Sequence, residues 1–252
     1  MTILPELLAS IEDLPVLDVR IGVHWTAVVV ERGGHGQAGL AATLESTHEH
    51  KREPDVPFAG ELTRYGAREL AGWALASQPL CVSIGLATIN ACLERFPAEW
   101  HEANAEEAIV AHGMNKRVVL VGHFPFVPDL KSRVGQLVVL EQNPVGDDLP
   151  ALAAPQVIPQ AEVLAMTGMT LANHTLEDLL SYRAPGAITL LLGPSTPLHP
   201  ILFKHGIDWL SGAVVTHIEP VLRAVSQGAN FHQLKQAGVR LVNMARAGKE
   251  YS

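Results

Sequence analysis

Cysteine is scarce in this chain, with two residues, Cys81 and Cys92, among 252. Two thiols do not make the disulfide framework of a small secreted scaffold; buried apolar thiols in a reducing compartment are expected. Long hydrophobic runs are also missing. None approaches the roughly 20 apolar residues that a helix needs to cross a bilayer, so no membrane partner is expected. The opening Met-Thr-Ile-Leu-Pro-Glu-Leu-Leu lacks a positive n-region and a cleavage pattern, so no signal peptide is read there and the expected location is cytoplasmic. Positive charge is in deficit, with 18 Lys and Arg against 26 Asp and Glu and a formal net charge of −8. No basic stripe stands out, which argues against nucleic acid as a partner. There is no G-x-G-x-x-G, P-loop, serine-nucleophile elbow, kinase signature, H-E-x-x-H or zinc-spaced Cys/His set.

What the chain does have is 48% hydrophobic residues, ample for a core. In the second half, four short apolar runs each break into a loop of small and polar residues. Arg117–Val121 leads into Gly122-His123-Phe124-Pro125, and Gln136–Leu140 into Glu141-Gln142-Asn143-Pro144. Ala161–Met166 leads into Thr167-Gly168-Met169-Thr170, and Ile188–Leu192 into Gly193-Pro194-Ser195-Thr196-Pro197. Such runs, alternating with helical pattern and followed by a short strand at 212–216 and a helix at 220–227, predict buried parallel strands in a doubly wound sheet. Ligands bind beyond the carboxyl ends of the strands in such sheets.

The first half reads differently. A short amphipathic helix stops at Pro15, and 16–30 is β-rich with a break at Gly22-Val23-His24. A turn cluster at Arg32–Gly36 precedes a third strand at 39–44, giving an antiparallel meander. Helical pattern follows at 62–77, ended by Pro79, and residues 83–91 lead into a helix closed by Pro97. A boundary near residue 98 therefore predicts a smaller α+β domain, 1–98, before an α/β domain, 99–252.

Ser195 or Thr196 can cap the next helix with Pro197 in its first turn, which would offer free N–H groups to a carboxylate or phosphate. A capped helix with nothing bound accounts for the same residues. Gly122 would let a ligand approach the backbone, although Pro125 and Pro128 remove amide donors from that turn. Glu141 stands nineteen positions past Gly122, near the offset of a ribose-holding acid. Thr175 and Asp178 resemble a capping box. Thr88 and Asn90 are polar residues inside the otherwise small, apolar opening of a helix, where a cap and close packing through Gly85, Ala87 and Ala91 compete with a ligand role. Of the 12 histidines, His48-Glu49-His50 with Glu45 nearby, and His199 with His205, are candidate metal ligands by spacing, but scattered histidines are the better account.

Six ordered motifs then carry a resemblance: Gly-Leu-Ala-Thr-Ile-Asn-Ala (85–91), Val-Gly-His-Phe-Pro (121–125), Glu-Gln-Asn-Pro-Val-Gly-Asp (141–147), Thr-Gly-Met-Thr-Leu-Ala-Asn-His-Thr-Leu (167–176), Gly-Pro-Ser-Thr-Pro-Leu (193–198) and Arg-Ala-Val-Ser-Gln-Gly (223–228). Together they resemble the family of putative heavy-metal chelation proteins over nearly the whole chain. The resemblance implies an enolase-N-terminal-like α+β domain followed by a Rossmann-like, mostly parallel doubly wound sheet akin to methyltransferases, with a small-molecule site at the domain interface. Carried over, Thr88 and Asn90 come from the first domain. Gly122, His123, Phe124, Pro125, Glu141, Asn143, Thr167, Gly168, Gly193, Pro194, Ser195 and Thr196 come from the second.

The function implied is condensation or hydrolysis of a small molecule in pterin-, flavin- or siderophore-like chelator or heavy-metal metabolism. In that reading Glu141 and Asn90 are the catalytic pair, and the partner is a small anionic or metal-chelating ligand. The alternative is a non-catalytic binder of a metal–ligand complex, in which His123 would matter more. A methyltransferase is the third reading, weakened by the absence of a Gly-rich first loop. Enolase chemistry is not implied, since no acidic triad for magnesium is found. No cofactor or metal is assigned, and a homodimer is expected only from the general frequency of such assemblies.

Overall fold

The computed structural model describes residues 2–45, 54–102 and 105–249. The first half contains α1 (Ile3–Ser10), β1 (Val16–Ile21), β2 (Trp25–Arg32), β3 (His35–Ala42), α2 (Ala67–Gly72) and α3 (Pro79–Cys92). The remainder runs α4 (Ala105–Gly113), β4 (Arg117–Val121), α5 (Val127–Leu130), β5 (Gln136–Glu141), β6 (Leu149–Pro150), α6 (Ala154–Val157) and β7 (Val163–Thr167). It continues with α7 (Met169–Ala172), α8 (Leu176–Ser181), β8 (Ile188–Leu192), α9 (Ile201–Lys204), β9 (Trp209–Val215), α10 (Ile218–Ser226), α11 (Phe231–Ala237) and β10 (Val239–Ala245). The result is the expected mixed α/β class, with a three-stranded antiparallel sheet and a mostly parallel seven-stranded sheet. By its internal contacts the chain forms two units. One comprises Met1–Arg95, Pro197–His199 and Gly212–Leu241; the other comprises Phe96–Thr196, Pro200–Ser211 and Val242–Ser252.

In the first unit the meander β1-β2-β3 is confirmed. Arg32 pairs with His35 across a two-residue turn, Gly33-Gly34, whose φ values of 59° and 81° are those of the type I′ turn that matches strand twist. Thr26 to Val30 are all buried. Alternate residues of a strand point to opposite faces, so this unbroken run requires both faces to be covered. On one face Ala27, Val29, Ala38 and Leu40 share a core with Val215, Val221, Leu222, Val225 and Leu234. On the other, Gly39 meets the backbone of Ala87, Asn90 and Ala91 in α3, and a β-carbon there would overlap it. Gly85 touches the Ala74 backbone in the same way.

This packing corrects the expected helices. Residues 83–91 are helical and form the body of α3 rather than its opening, Pro79 is that helix's first residue, and it ends at Cys92 instead of Pro97. Proline suits a first helical position because its missing N–H would be unpaired there anyway. The expected helix at 62–77 is a 3-10 turn (Leu62–Arg64), then α2, then a second 3-10 turn (Trp73–Leu75). Gly66, just before α2, sits against the Asp13 carboxylate, which accepts the Arg68 N–H at 3.0 Å and serves the helix start from a distance.

In the second unit β4 lies inside the sheet, whose spatial order is β10-β9-β8-β7-β4-β5-β6. The chain moves outward through β5 and β6, then crosses back to build β7, β8 and β9 on the other side of β4. The pairs β4–β5, β4–β7, β5–β6, β7–β8 and β8–β9 are parallel. The order therefore reverses between β4 and β7, the switch point where such sheets open a crevice. Val118, Leu120, Val163, Ala165, Leu190, Leu192 and Trp209 form one face of the core with Ala108 and Ile109 of α4 and Leu130 of α5. Toward the far strands, Asp208 accepts the Thr189 N–H at 3.0 Å and pairs with Arg246 at 2.6 Å, while the buried Ser211 hydroxyl donates to Asn243 at 2.5 Å.

Two predictions follow from packing. Gly85→Ala and Gly39→Ala each force backbone apart and should lower stability by about 1–3 kcal/mol or more. Gly72→Ala, with open space at its β-carbon, should stay within about 1 kcal/mol of wild type; denaturant midpoints distinguish the two classes. His112 packs on Trp209 with ring centroids 5.4 Å apart. Burial, then Lys116 and Lys249, holds its pKa below the ordinary 6.5, against a weaker upward pull from Asp208. Protonation therefore favours the unfolded chain. The stability His112 allows is complete above pH 6.5 and is lost as pH falls below it. Denaturation across pH 5–7 (about the range His titrates) should show a shallower acid-side loss in His112→Gln.

Candidate functional site

Three strands of the second unit end in glycine, and each glycine extends the ladder by one bond. Gly122 donates its N–H to Leu140 O at 2.9 Å, Gly168 to Leu192 O at 2.6 Å and Gly193 to Ser211 O at 2.9 Å. The chain then turns away. Gly122 does so at φ 103°, and a β-carbon there would lie 3.1 Å from the Thr167 side chain. Gly168 in turn abuts Thr196, where a β-carbon would come within 2.6 Å of Oγ1. On the other side, Glu141 Oε2 accepts the His123 N–H at 2.8 Å. The loops after β5, β4, β7 and β8 thus form one row in space: Glu141, His123, Gly122, Thr167, Gly168, Thr196.

The members of the row differ in what they offer. Glu141 uses one oxygen for His123 and the other for its neighbour's Gln142 N–H at 2.7 Å. It pins two loops together and is less available as a base than the sequence suggested. Thr167 Oγ1 accepts from Met169 N, and Thr170 donates to Thr167 O, so both hydroxyls shape the start of α7. Phe124 stacks on Phe126 at 5.0 Å and packs against the core, whereas Pro125 and Asn143 are exposed. Gly193 and Pro194 are half-buried.

The helix expected after Ser195 and Thr196 is not there. Residues 196–199 have no regular structure, and α9 is a four-residue helix entered from Pro200 without a side-chain cap. The closely spaced Pro194, Pro197 and Pro200 remove the amide donors a helix start would use. Ser195 and Thr196 are instead buried; Ser195 donates to Met169 Sδ at 3.8 Å, and Thr196 Oγ1 has no hydrogen-bond partner among the described residues. The capping box at Thr175 is also corrected. Thr175 sits in helical rather than extended backbone, so its hydroxyl turns to Asn173 Oδ1 at 2.6 Å.

Thr88 and Asn90 belong to the first unit and are occupied there. Thr88 is fully buried and donates to Ile84 O at 2.7 Å; the Asn90 amide donates to Leu40 O at 2.8 Å. The Asn90 bond ties α3 to β3, whereas the Thr88 bond closes within α3 itself.

Asp148 was missed by sequence reasoning. Its Oδ2 lies 2.7 Å from His123 Nδ1 and accepts the Val145 N–H at 3.2 Å. Its side chain is 4% exposed against 39% for His123. A concavity of about 330 Å³ opens beside it, lined by Lys131, Leu137, Val139, Asp147 and Asp148, with Lys131 paired to Asp147 at 3.1 Å. That volume lies at the low end for a small-molecule site. The separation of 25 residues hides the His123–Asp148 pair from any local motif.

Family models settle what the six motifs belong to. One, described as putative heavy-metal chelation, matches residues 104–244; a second with the same description matches 5–93. The chain belongs to the putative heavy-metal chelation family. Within that family, a crystal structure of a protein of unknown function from Desulfitobacterium hafniense is 25% identical and has a TM-score of 0.79, covering 97% of this chain and 98% of its own. A second, from Pyrococcus horikoshii, is 21% identical with a TM-score of 0.81 and the same coverage. An uncharacterised protein of Methanocaldococcus jannaschii is 26% identical over 219 residues, covering 84% of this chain and 83% of its own.

The family description implies a heavy metal, but the described residues of this putative chelation protein do not fit one bound directly. No three His, Cys, Asp or Glu converge to hold an ion among them. Glu45 is described and exposed, whereas His48, Glu49 and His50 lie outside the described residues. Heavy metals favour thiolates, yet Cys81 and Cys92 are 3% and 1% exposed. Burial, reinforced by Asp55, pushes the Cys81 thiol up; burial pushes Cys92 up to about 12, against the opposing pull of Arg32. A thiol-specific disulfide reagent at neutral pH should therefore find no fast-reacting cysteine in the folded protein and both after unfolding, a difference read directly by absorbance.

Proposed function

We propose that this protein binds a small organic molecule of the metal-chelating type at the carboxyl edge of its parallel sheet and acts on it by condensation or hydrolysis. The observation that carries the reading is the contiguous row from Glu141 through His123, Gly122, Thr167 and Gly168 to Thr196, placed at the β4/β7 switch point. Any heavy metal it handles would arrive coordinated by that organic ligand, because the described residues supply no direct cage. Thr88 and Asn90 have no part in this reading, since the Thr88 hydroxyl and the Asn90 amide N–H both donate within the first unit.

The alternative of a non-catalytic binder shares the same site and differs in turnover alone. A methyltransferase has weaker support. The first loop is Gly-His-Phe-Pro, and the acid at its expected position, Glu141, already accepts two backbone N–H groups.

Native mass spectrometry of the purified protein, with and without a chelator, is the test. A retained organic ligand is expected, and Glu141→Gln should retain it roughly tenfold less, since a charged acceptor of two N–H donors is lost. Asn90→Ala should retain it like wild type. A protein that carries no organic ligand but binds bare metal stoichiometrically would overturn the proposal.

A further inference from the structure

The exposed group with acid–base capacity in the row is His123, and it is held from two directions. Its backbone N–H is fixed to Glu141 Oε2 at 2.8 Å, and its ring Nδ1 faces Asp148 Oδ2 at 2.7 Å. An ionised carboxylate accepts hydrogen bonds and does not donate them, so the Nδ1 position carries the proton. The neutral ring then presents an unprotonated Nε2 on its opposite side, and Nε2 has no partner among the described residues. Asp148 is almost fully buried while the imidazole is 39% exposed. The orienting group is thus inside and the reactive group outside. Gly122, the preceding residue, abuts Thr167 at the end of β7, while the His123 ring lies toward Asp148, which also lines the concavity of about 330 Å³.

We propose that His123 Nε2 is the proton-transfer group of this crevice and that Asp148 is its positioning residue, acting on an acyl compound of the ester or amide class. The inference deepens the small-molecule reading above and rests on it. In hydrolysis, Nε2 takes a proton from water as the water oxygen forms its bond to the acyl carbon. The bond to the leaving oxygen or nitrogen then breaks, and that atom departs with the proton from Nε2–H. Acyl compound and water give acid and alcohol or amine, and condensation is the reverse. The buried Asp148 carboxylate opposes the positive charge that the ring gains midway, as an acid paired to a histidine does in acyl-transfer triads. Glu141 cannot easily share the task, with each oxygen already accepting an N–H.

The probe is p-nitrophenyl acetate, hydrolysed by the whole protein, with nitrogen-15 spectra of the His123 ring alongside. Wild type should hydrolyse it above buffer, and His123→Gln and Asp148→Ala should each lose roughly tenfold, a cautious fraction of what general acid–base catalysis supplies. The neutral His123 ring should carry its proton on Nδ1 in wild type and lose that preference in Asp148→Ala, a signature that a merely structural loop residue would not move. Wild-type rates in both variants, no hydrolysis above buffer, or a wild-type ring protonated on Nε2 would each overturn the assignment. If these occur while wild type still retains an organic ligand in native mass spectrometry, the binding reading stands and the proton-transfer role alone falls. Expected rates and spectra without any retained ligand remove the binding reading instead.

Discussion

A parallel sheet leaves backbone groups unpaired at its carboxyl edge, and the buried polar groups of that edge must be satisfied. Gly122, Gly168 and Gly193 meet this demand by donating one more ladder bond each before the chain turns. The turns are thereby locked to the strands. At Gly122 the left-handed φ re-aims the chain, and the absence of a side chain lets Thr167 come close. At Gly168 the same absence admits Thr196. The row of strand-end residues and the position of His123 depend on these bonds.

The chemistry left exposed at that edge is narrow. Hydroxyls that looked like ligand contacts are spent on turns or buried, and the carboxylate of Glu141 ties two loops together. What remains is an imidazole 2.7 Å from a buried acid that also lines a small concavity. Thiolate chemistry has no such exposed group among the described residues, because Cys81 and Cys92 are both buried and that burial raises their pKa. The family's description and the chain's own donors are reconciled if the organic ligand carries the metal.

The parallel strands were legible because burial on both faces leaves no alternation: Arg117–Val121, Gln136–Glu141, Val163–Thr167 and Ile188–Leu192 all fall within two residues of their apolar runs. Two elements were not. β6 is only Leu149-Pro150, too short for any pattern, and β10 is apolar but mixed with Arg240 and Asn243. Capping departs from residue type in both directions. Thr175 has the right residue type and the wrong backbone, while Asn230 and Gln233 form a reciprocal capping box. Residue type permits a cap, but the φ and ψ of one position decide whether the side chain can reach.

The amino-acid sequence alone determined the fold class, the family, and where the parallel strands end in loops, because strand burial and glycine placement are local properties written in the order of residues. Tertiary structure alone decided which of those loop residues are available. It removed the helix expected after Ser195 and Thr196, enclosed Thr88 within α3, and set Asp148 against His123 across 25 residues. Hydrogen bonding between distant segments is set by how strands and loops pack, and no spacing along the chain records it.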